Sequence, residues 1–284
     1  MRSITILGTD EAGYGPNLGP LVVSLTAWEA PSDNLTPLFE PLKKEGISIG
    51  DSKKIYHGGS LAALEIGVLV PMRTLKNNAL GSLLAGEEMF DHLVEKFEAI
   101  LKQHKTRLLD MQYRSIEPEE FNRLLDKFDS KGTLLSNVTL RLIADQLKKL
   151  VQEKKDTPIL VLCDKHGGRN HYLDILTEFL PGGFIKPIKE SRESSIYRLH
   201  REGRPLEFRF LAKGETHLPI ALASMLSKYH RELAMIRFNE FWRSHVPHLQ
   251  PTAGYPEDAR RFKQQIADTQ ERLGIPDKSL WRKR

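Results

Sequence analysis

The sequence predicts an α/β protein in which one mixed β-sheet is covered by helices and followed by a helical C-terminal extension. Three observations predict this class. Strand-like segments begin the chain, helical segments dominate its middle, and a strand, a hairpin and further helices follow. The run from Ile159 to Cys163 is wholly apolar, which is typical of a strand buried on both faces. The 284 residues are enough for a sizeable core.

Composition excludes several classes of protein. Lys and Arg number 42 against 37 Asp and Glu, so the net charge of +5 permits a polyanionic partner without requiring one. No run approaches the roughly 18 apolar residues of a membrane span, and the first residues do not form a secretory signal. The single cysteine excludes internal disulfides and cysteine-based zinc sites. We therefore expect a cytoplasmic protein with no membrane partner.

The first elements are strands separated by residues that break regular structure. Residues 3–9 alternate apolar and small side chains and stop at Asp10. A turn rich in glycine and proline then leads to a second strand at residues 21–28. Residues 30–60, rich in Pro, Gly and Ser, are predicted to be mostly loop, and residues 64–70 are predicted to form a third strand.

Helical spacing of apolar residues begins in the next part of the chain. The segment 83–107 carries acids early and basic residues late, as the helix dipole favours. A short helix is predicted after Pro118, over residues 117–128. Residues 134–152 place their apolar side chains on one side and predict a third helix.

The remaining elements follow the buried strand that ends at Asp164. Residues 194–200 and 206–212 flank a turn and predict a hairpin. Pro219 suits the first position of a helix. Two helices, over residues 219–241 and 257–273, and a basic tail are predicted to complete the chain.

Acidic side chains follow three separate predicted strands. Asp10 and Glu11 follow the first, Asp164 follows the buried strand, and Glu215 follows the hairpin. If these strands are neighbours, four carboxylates meet, and their mutual repulsion favours a bound cation. Oxygen ligands favour Mg²⁺ or Mn²⁺, and two such ions can assist phosphoryl displacement. The alternative is that each acid is a turn or cap residue, which is the usual role of a single Asp in this position.

Several short motifs occur at spacings typical of one known family. The stretch DEAGYGPNLGP at residues 10–20 resembles the opening motif of type 2 ribonucleases H, the ribonuclease HII family. Asp164 follows its strand where the family has its third acid. The other similar stretches, in family order, are DSKK at residues 51–54, KGE at 213–215, ASMLSKYHR at 223–231 and GYP at 254–256.

The resemblance implies a ribonuclease H-like fold and metal-dependent endonucleolytic cleavage. The substrate would be the RNA strand of an RNA–DNA hybrid or a ribonucleotide embedded in duplex DNA, and the products a 5′-phosphate and a 3′-hydroxyl. Asp10, Glu11, Asp164 and Glu215 would hold two Mg²⁺ or Mn²⁺ ions. Nucleic acid is the implied partner, and no protein partner is predicted.

The resemblance also implies a division of the chain. A catalytic domain is expected over residues 1–241, and a C-terminal helical extension packed on it over residues 242–284. Residues 83–130 and 185–207 match nothing in the family pattern and are interpreted as insertions.

Further residues are candidates for binding the nucleic acid. Gly13 and Gly15 would let the backbone approach a ribose and its 2′-hydroxyl, although they also suit a plain tight turn. Lys53 and Lys54 would contact phosphates, although such pairs are commonly solvated. Tyr255 would stack on a sugar or base, or serve only as a partly buried aromatic.

The predicted helix 219–241 carries a polar stripe. Ser224, Lys228 and Arg231 share one face, so the stripe could follow a nucleic-acid backbone or be only the wet side of the helix. His166 and His217 each lie two residues beyond an acid. They could assist a proton transfer or product release, but a hydrogen-bonded surface role is commoner.

Two positions depart from the family pattern at the centre of the site. Tyr14 replaces a basic residue that would contact phosphate, and Glu215 replaces an aspartate, which makes the carboxylate side chain longer. These changes leave two alternatives open. One is a catalytically impaired or substrate-shifted protein that binds hybrid or structured nucleic acid, and the other is a nuclease of the same fold that acts on structured or wholly DNA substrates.

Overall fold

The structure, a computed structural model, describes residues 3–56, 61–75, 88–153, 157–201 and 203–283. Their strands form one seven-stranded sheet. In chain order the strands are β1 (Ile4–Ala12), β2 (Leu21–Ala30), β3 (Arg107–Ile116), β4 (Ile159–Asp164), β5 (Lys186–Glu190), β6 (Ser194–Arg201) and β7 (Arg204–Leu211).

The sheet order is β3-β2-β1-β4-β7-β6-β5. β1 pairs in parallel with β4, and β4 pairs in parallel with β7, whereas the outer pairs are antiparallel. The three central strands therefore end at the same edge of the sheet. This edge brings together Asp10 near the end of β1, Asp164 at the end of β4 and the residues that follow Leu211.

Helices cover both faces of the sheet. One core contains β1, β2 and β4 side chains together with the apolar sides of α1, α3, α4 and α8, and the other contains side chains of α6 and α7. The helices are α1 (Phe39–Lys44), α2 (Ser52–Ile55), α3 (Ala62–Arg73), α4 (Glu88–Gln103), α5 (Pro118–Phe128), α6 (Lys131–Glu153), α7 (Leu173–Phe179), α8 (Leu218–His245), α9 (Pro256–Arg272) and α10 (Asp277–Leu280).

The long helix α8 begins in direct contact with β1. A Cβ atom on Gly8 would lie 2.3 Å from the carbonyl carbon of Pro219, so only glycine fits at this point of the strand. The hydroxyl of Thr26 on β2 donates a hydrogen bond of 2.8 Å to the Pro219 carbonyl. These contacts fix the start of α8 against the sheet, and the rest of the helix then passes the acidic strand end.

The C-terminal elements pack around a small core of their own. Leu18, from the turn after β1, contacts this core, which also contains Trp242, Phe262, Ile266 and Leu280. The predicted boundary between residues 241 and 242 falls inside α8. The division into two domains stays a prediction.

The sheet and helices confirm the predicted fold class, and most elements agree with their predicted positions. The prediction of a strand at residues 64–70 is wrong, because these residues belong to α3. Its apolar run packs against α8, where a Cβ on Gly67 would lie 2.4 Å from the Met225 methyl carbon. A short apolar run fits a buried helix as well as a buried strand.

The strand β3 was not predicted from the sequence. It pairs with β2, and the helix predicted over residues 83–107 ends before it, at Gln103. Residues 83–87 of that prediction lie outside the described residues. The segments interpreted as insertions thus contribute an edge strand on one side of the sheet and β5 and β6 on the other. None of the described helices is both long enough and apolar enough to span a membrane.

Candidate functional site

A cavity of about 260 Å³ opens where β1 and β4 end. All four predicted acids line it, together with parts of the turn after β1, α2 and α8. The lining residues are Asp10, Glu11, Ala12, Gly13, Tyr14, Gly15, Pro16, Ser52, Lys53, Asp164, Glu215, Ser224, Lys228, Arg231 and Tyr255. Of the residues that the sequence predicts to bind metal or nucleic acid, only Lys54 is outside this set.

Asp10 is buried in the strand that forms the floor of the cavity. Its Oδ1 accepts a hydrogen bond of 2.8 Å from the amide of Glu11, and its carbonyl accepts one of 3.1 Å from the Ser227 hydroxyl. Burial, followed by the nearby charge of Asp164, raises the pKa of Asp10 from 3.8 to about 7. The Asp10 carboxyl therefore stays protonated up to about pH 7 while no cation is close.

The pKa values of Glu11 and Asp164 are also raised, and burial is again the main cause. Desolvation, followed by the charge of Asp10, raises the pKa of Glu11 well above its usual 4.5. Burial raises the pKa of Asp164, although its Oδ1 accepts a hydrogen bond of 3.0 Å from the Gly214 amide, which lowers it. The site thus holds several carboxylates whose ionisation is opposed by their surroundings and by one another.

A tight backbone turn brings Glu215 to this edge. Lys213 has a φ of 62°, which reverses the chain after β7, and residues Gly214–Thr216 form one turn of 3₁₀ helix. A Cβ on Gly214 would lie 2.7 Å from Ile220 and 3.2 Å from Asp164 Oδ1, so glycine is required for this approach. Glu215 thereby comes close enough for its charge to raise the pKa values of Asp10 and Asp164.

The acids share a cavity without forming a finished metal site. Within the described ranges, no group of three or more His, Cys, Asp and Glu side chains is arranged so that it could hold a metal ion as the side chains now stand. The donor set nevertheless consists of carboxylate oxygens, which suit hard divalent cations. After burial, the charges of neighbouring acids contribute to the raised pKa values of Asp10 and Glu11, and a positive charge at this place would oppose both causes.

The turn after β1 is built on a glycine that no other residue could replace. Gly13 has a φ of 88°, and a Cβ there would lie 2.4 Å from the Pro20 carbonyl and 2.7 Å from Arg231 Nε. Gly15 differs, because a Cβ there would meet nothing within 4 Å. Gly13 is thus fixed by packing, whereas the space beside Gly15 is open.

Tyr14 connects this turn to the loop that follows β4. A Cβ on Gly167 would lie 2.4 Å from the Tyr14 hydroxyl oxygen, so the tyrosine closes directly over that glycine. Burial, followed by the charge of Glu11, raises the pKa of Tyr14. Tyr14 brings no positive charge to the cavity, but it fixes the two loops against each other.

The two neighbouring lysines of α2 are placed differently. Lys53 lines the cavity, and its amide donates a hydrogen bond of 3.0 Å to the Asp51 side chain that caps the helix. Lys54 is 85% exposed and lies 3.8 Å from Asp51. The structure therefore brings Lys53 to the acids and leaves Lys54 on the surface outside the cavity.

The polar stripe of α8 faces the cavity, but its cations already have partners within the protein. Lys228 Nζ lies 2.6 Å from Glu232 Oε1 and 4.4 Å from the centre of the Tyr56 ring. The hydroxyl of Ser224 donates a hydrogen bond of 3.0 Å to that of Ser52. Glu232 was missed in the sequence, although its spacing of four residues from Lys228 is the signal for such a pair.

Arg231 is buried and joins two loops. Its guanidinium donates hydrogen bonds to the Ala253 carbonyl at 2.9 Å and to Glu232 Oε1 at 3.3 Å. Gly254, which follows, has a φ of 83°, and its carbonyl accepts a bond of 2.8 Å from the amide of Asn17. This network presents Tyr255, which is 55% exposed, beside the turn after β1.

The two histidines near the acids do not line the cavity. His166 is buried, and its Nδ1 lies 2.9 Å from the Ser136 hydroxyl oxygen. Burial, followed by the charge of Arg169, lowers the pKa of His166 to about 3, which keeps the ring neutral. Burial also lowers the pKa of His217, at the start of α8.

No family model matches this chain, and no curated protein matches it significantly. Solved structures that are similar to it include a mutant of Bst-RNase HIII, with 17% identity and a TM-score of 0.53. That alignment covers 98% of this chain and 66% of the Bst-RNase HIII chain, so this chain spans about two thirds of its length.

Two further solved structures align over nearly their whole length. The PCNA:RNase HII complex from Archaeoglobus fulgidus has 17% identity and a TM-score of 0.47, with coverage of 99% of this chain and 95% of that chain. The ribonuclease H2 from Pyrococcus horikoshii OT3 has 14% identity and a TM-score of 0.45, with coverage of 98% and 92%.

The likeness to Bst-RNase HIII shows that the chain has a ribonuclease H-like fold. The resemblance that the sequence motifs indicate is thereby confirmed at the level of the fold.

Proposed function

We propose that this protein is a divalent-metal-dependent endonuclease of the ribonuclease H type. Its substrate is the RNA strand of an RNA–DNA hybrid or a ribonucleotide embedded in duplex DNA, and it leaves a 5′-phosphate and a 3′-hydroxyl. One observation carries the proposal. Four acids from three distant parts of the sequence line a single cavity together with the glycine turn that would meet a ribose.

Asp10, Glu11, Asp164 and Glu215 are the residues that would hold the metal ions, Mg²⁺ or Mn²⁺. When bound, two such ions supply an activated water and stabilise the charge on the attacking and leaving oxygens. The raised pKa values of Asp10 and Glu11 support this assignment, because carboxylates that repel one another gain from a cation. Their side chains must change rotamer to enclose it, since no holding arrangement exists among the described residues.

The turn after β1 supplies the contacts to the substrate sugar. Gly13 keeps the backbone in a conformation open to glycine only, and the space beside Gly15 lets a ribose approach backbone amides and carbonyls. Lys53, at the mouth of the cavity, and the exposed ring of Tyr255 contact the phosphate and the sugar or base.

A protein nucleophile is not part of this mechanism. The only cysteine, Cys163, is buried within β4, and burial raises the pKa of its thiol to about 12. A thiol held neutral and out of contact with solvent does not attack a phosphate. The chemistry is therefore assigned to the carboxylate cluster, one member of which, Asp164, directly follows this cysteine.

Cleavage of matched duplexes tests the proposed function. The purified protein is assayed on a duplex with one ribonucleotide, on a long RNA–DNA hybrid and on the same duplex made wholly of DNA, with Mg²⁺ and then with Mn²⁺. We expect cleavage of at least one ribose-containing duplex, none of the all-DNA control, and none in EDTA. Equal cleavage of the all-DNA duplex would contradict recognition of the 2′-hydroxyl and favour a nuclease of the same fold with another substrate.

A second candidate function follows from the unfinished metal site and the longer side chain of Glu215. In that case the protein binds hybrid or structured nucleic acid with little or no cleavage. Binding of the hybrid without cleavage under either metal ion would support this candidate and exclude the first.

A further inference from the structure

Arg282, near the C-terminal end of the described chain, lies beneath the turn after β1. Its side chain is buried, with 3% of the residue exposed. Its Nη2 donates a hydrogen bond of 2.6 Å to the Gly13 carbonyl and another to the Pro16 carbonyl. One guanidinium therefore holds both ends of the turn that forms one side of the cavity.

The backbone of this segment is anchored on both sides of Arg282. Its amide donates a hydrogen bond of 2.9 Å to the Asn17 carbonyl. The side chain of Asn122 on α5 donates a hydrogen bond of 2.6 Å to the Trp281 carbonyl and accepts one of 2.7 Å from the Lys283 amide. We name residues 281–283 the C-terminal strap.

The charge on Arg282 has an unusual environment. Within the described part of the chain, no carboxylate forms an ion pair with it, and its Nε and Nη1 have no hydrogen-bond partner. Its guanidinium lies 4.6 Å from the centre of the Phe121 ring. Burial, followed by the charge of Arg231, lowers the pKa of Arg282 to about 9, so the group stays mainly charged at neutral pH.

Burying an arginine without a carboxylate partner lowers the stability of the folded protein. A neutral side chain could make a purely structural contact at this place without that cost. Here the guanidinium of Arg282 contacts the turn that contains Tyr14, a residue that carries no positive charge of its own. Arg231 also approaches Gly13, because its Nε would be 2.7 Å from a Cβ there. Two buried guanidinium groups thus lie close to the turn.

We propose that Arg282 is a positioning residue, whose guanidinium holds the Gly13 and Pro16 carbonyls so that the turn meets the substrate ribose in one conformation. This inference rests on the proposed function for what the turn binds. The positioning of the turn itself does not, since it can be measured in protein without substrate.

The first test is hydrogen exchange of the amides of residues 13–15, 17 and 18 in the metal-free protein, since Pro16 has no amide hydrogen. We expect Arg282→Ala to raise their exchange rate by about tenfold or more, and guanidinium ion in the buffer to restore part of the protection. Lys283→Ala is the matched control, because it removes an exposed ion pair of 2.6 Å with Asp126 from the same strap without touching the turn. Unchanged exchange in Arg282→Ala, or an equal rise in Lys283→Ala, would overturn the proposal.

The second test measures kcat and KM on a duplex with one ribonucleotide. We expect Arg282→Ala to lower kcat/KM by about 10- to 100-fold, since small misplacements of a substrate-contacting group have effects of this size. Arg282→Lys, which keeps the charge, should recover part of the loss, and it replaces Arg282→Ala in both tests if that variant fails to fold. Wild-type kcat/KM in a variant whose exchange has risen would overturn the link to substrate.

The two tests separate the two proposals. If the wild-type protein cleaves no duplex but Arg282→Ala raises exchange in the turn and Lys283→Ala does not, the proposed function fails and the positioning of the turn stands. If cleavage occurs and exchange is unchanged, the proposed function stands and the role of Arg282 is rejected.

Discussion

The floor and the helical wall of the cavity both carry charged residues, and they differ in how those charges are satisfied. The acid floor consists of Asp10, Glu11, Asp164 and Glu215. Within the described residues none of these acids forms an ion pair with a basic side chain, and the pKa values of the first three are raised. The α8 wall consists of Ser224, Lys228 and Arg231, and both of its cations contact Glu232.

This difference separates two roles that look alike in the sequence. Carboxylates that oppose one another's ionisation need a charge from outside the protein, as a binding site does. Cations that are already paired within the protein contribute first to holding loops together. We therefore expect changes in the floor to affect chemistry and changes in the wall to affect stability, and four predictions test this contrast.

The largest expected effect is on the floor. Asp10→Asn keeps the size of the side chain and removes its charge, so we expect cleavage to fall by at least about 10²–10³-fold, the size of effect seen in other enzymes when one electrostatic contact that stabilises the transition state is lost. Because the substitution also removes repulsion, the free energy of unfolding should not decrease. Steady-state cleavage and urea unfolding measure the two effects, and undiminished turnover would remove Asp10 from the mechanism.

The wall should respond in the opposite way. Arg231→Met deletes the donors to the Ala253 carbonyl and to Glu232 and leaves those partly buried acceptors without them. We expect a loss of about 1–3 kcal/mol in the free energy of unfolding. The matched control is Lys54→Met, which changes a side chain that is 85% exposed and should cost less than about 0.5 kcal/mol. Equal effects of the two substitutions in urea unfolding would contradict a structural role for Arg231.

The pH dependence of stability should have opposite signs in the two regions. Asp10 has a pKa of about 7 in the folded protein against a usual 3.8, so its contribution is complete at low pH and is lost as the pH rises towards 7. His230 on α8 has a pKa lowered to about 4 by burial, against a usual 6.5. Its contribution is therefore complete above pH 6.5 and is lost as the pH falls towards 4.

Urea unfolding of metal-free protein between pH 4 and 7 measures both slopes. Each group changes the slope by at most about 1.4 kcal/mol per pH unit. Asp10→Asn should make stability rise more steeply with pH than in the wild type, whereas His230→Phe should flatten the rise. The ring of His230 stacks on Tyr113 at 3.5 Å, and phenylalanine preserves this contact. Slopes that change in the same direction in both variants would contradict these assignments.

The smallest expected effect concerns the ion pair of Lys228. Glu232→Gln removes its carboxylate partner, so the lysine becomes available to a phosphate. We expect nucleic-acid binding to become more dependent on salt, with the slope of log Kd against log salt steeper by about 0.7–0.9, the value for one extra phosphate contact. An unchanged slope would mean that Lys228 does not meet the backbone of the bound strand.

The sequence predicted the meeting of the acids because three central strands had recognisable ends. Asp164 ends an apolar strand, and Asp10 lies near the end of another, so their proximity follows from parallel pairing. The sequence did not show β3, whose mixed burial pattern has no clean alternation. It also did not separate helix from strand in α3, because an apolar run of that length satisfies both.

Contacts between distant parts of the chain explain what else was missed. Ser52 is paired with Ser224 across 172 residues, and Arg282 with Gly13 across 269. No local pattern reports such a pair, since each depends on how helices and loops are finally packed. Lys54 shows the reverse case, because it shares its motif with Lys53 and yet lies outside the cavity.

The bond between Arg282 and the Gly13 carbonyl also has a consequence for biosynthesis. During translation the turn after β1 leaves the ribosome early, whereas its supporting guanidinium emerges only after 269 further residues. The nascent chain therefore carries the carboxylates of β1 long before the element that fixes the adjacent turn. The pocket can be complete only after the strap has been synthesised, so a ribosome-stalled intermediate lacking the strap should already have a sheet but not yet an ordered turn.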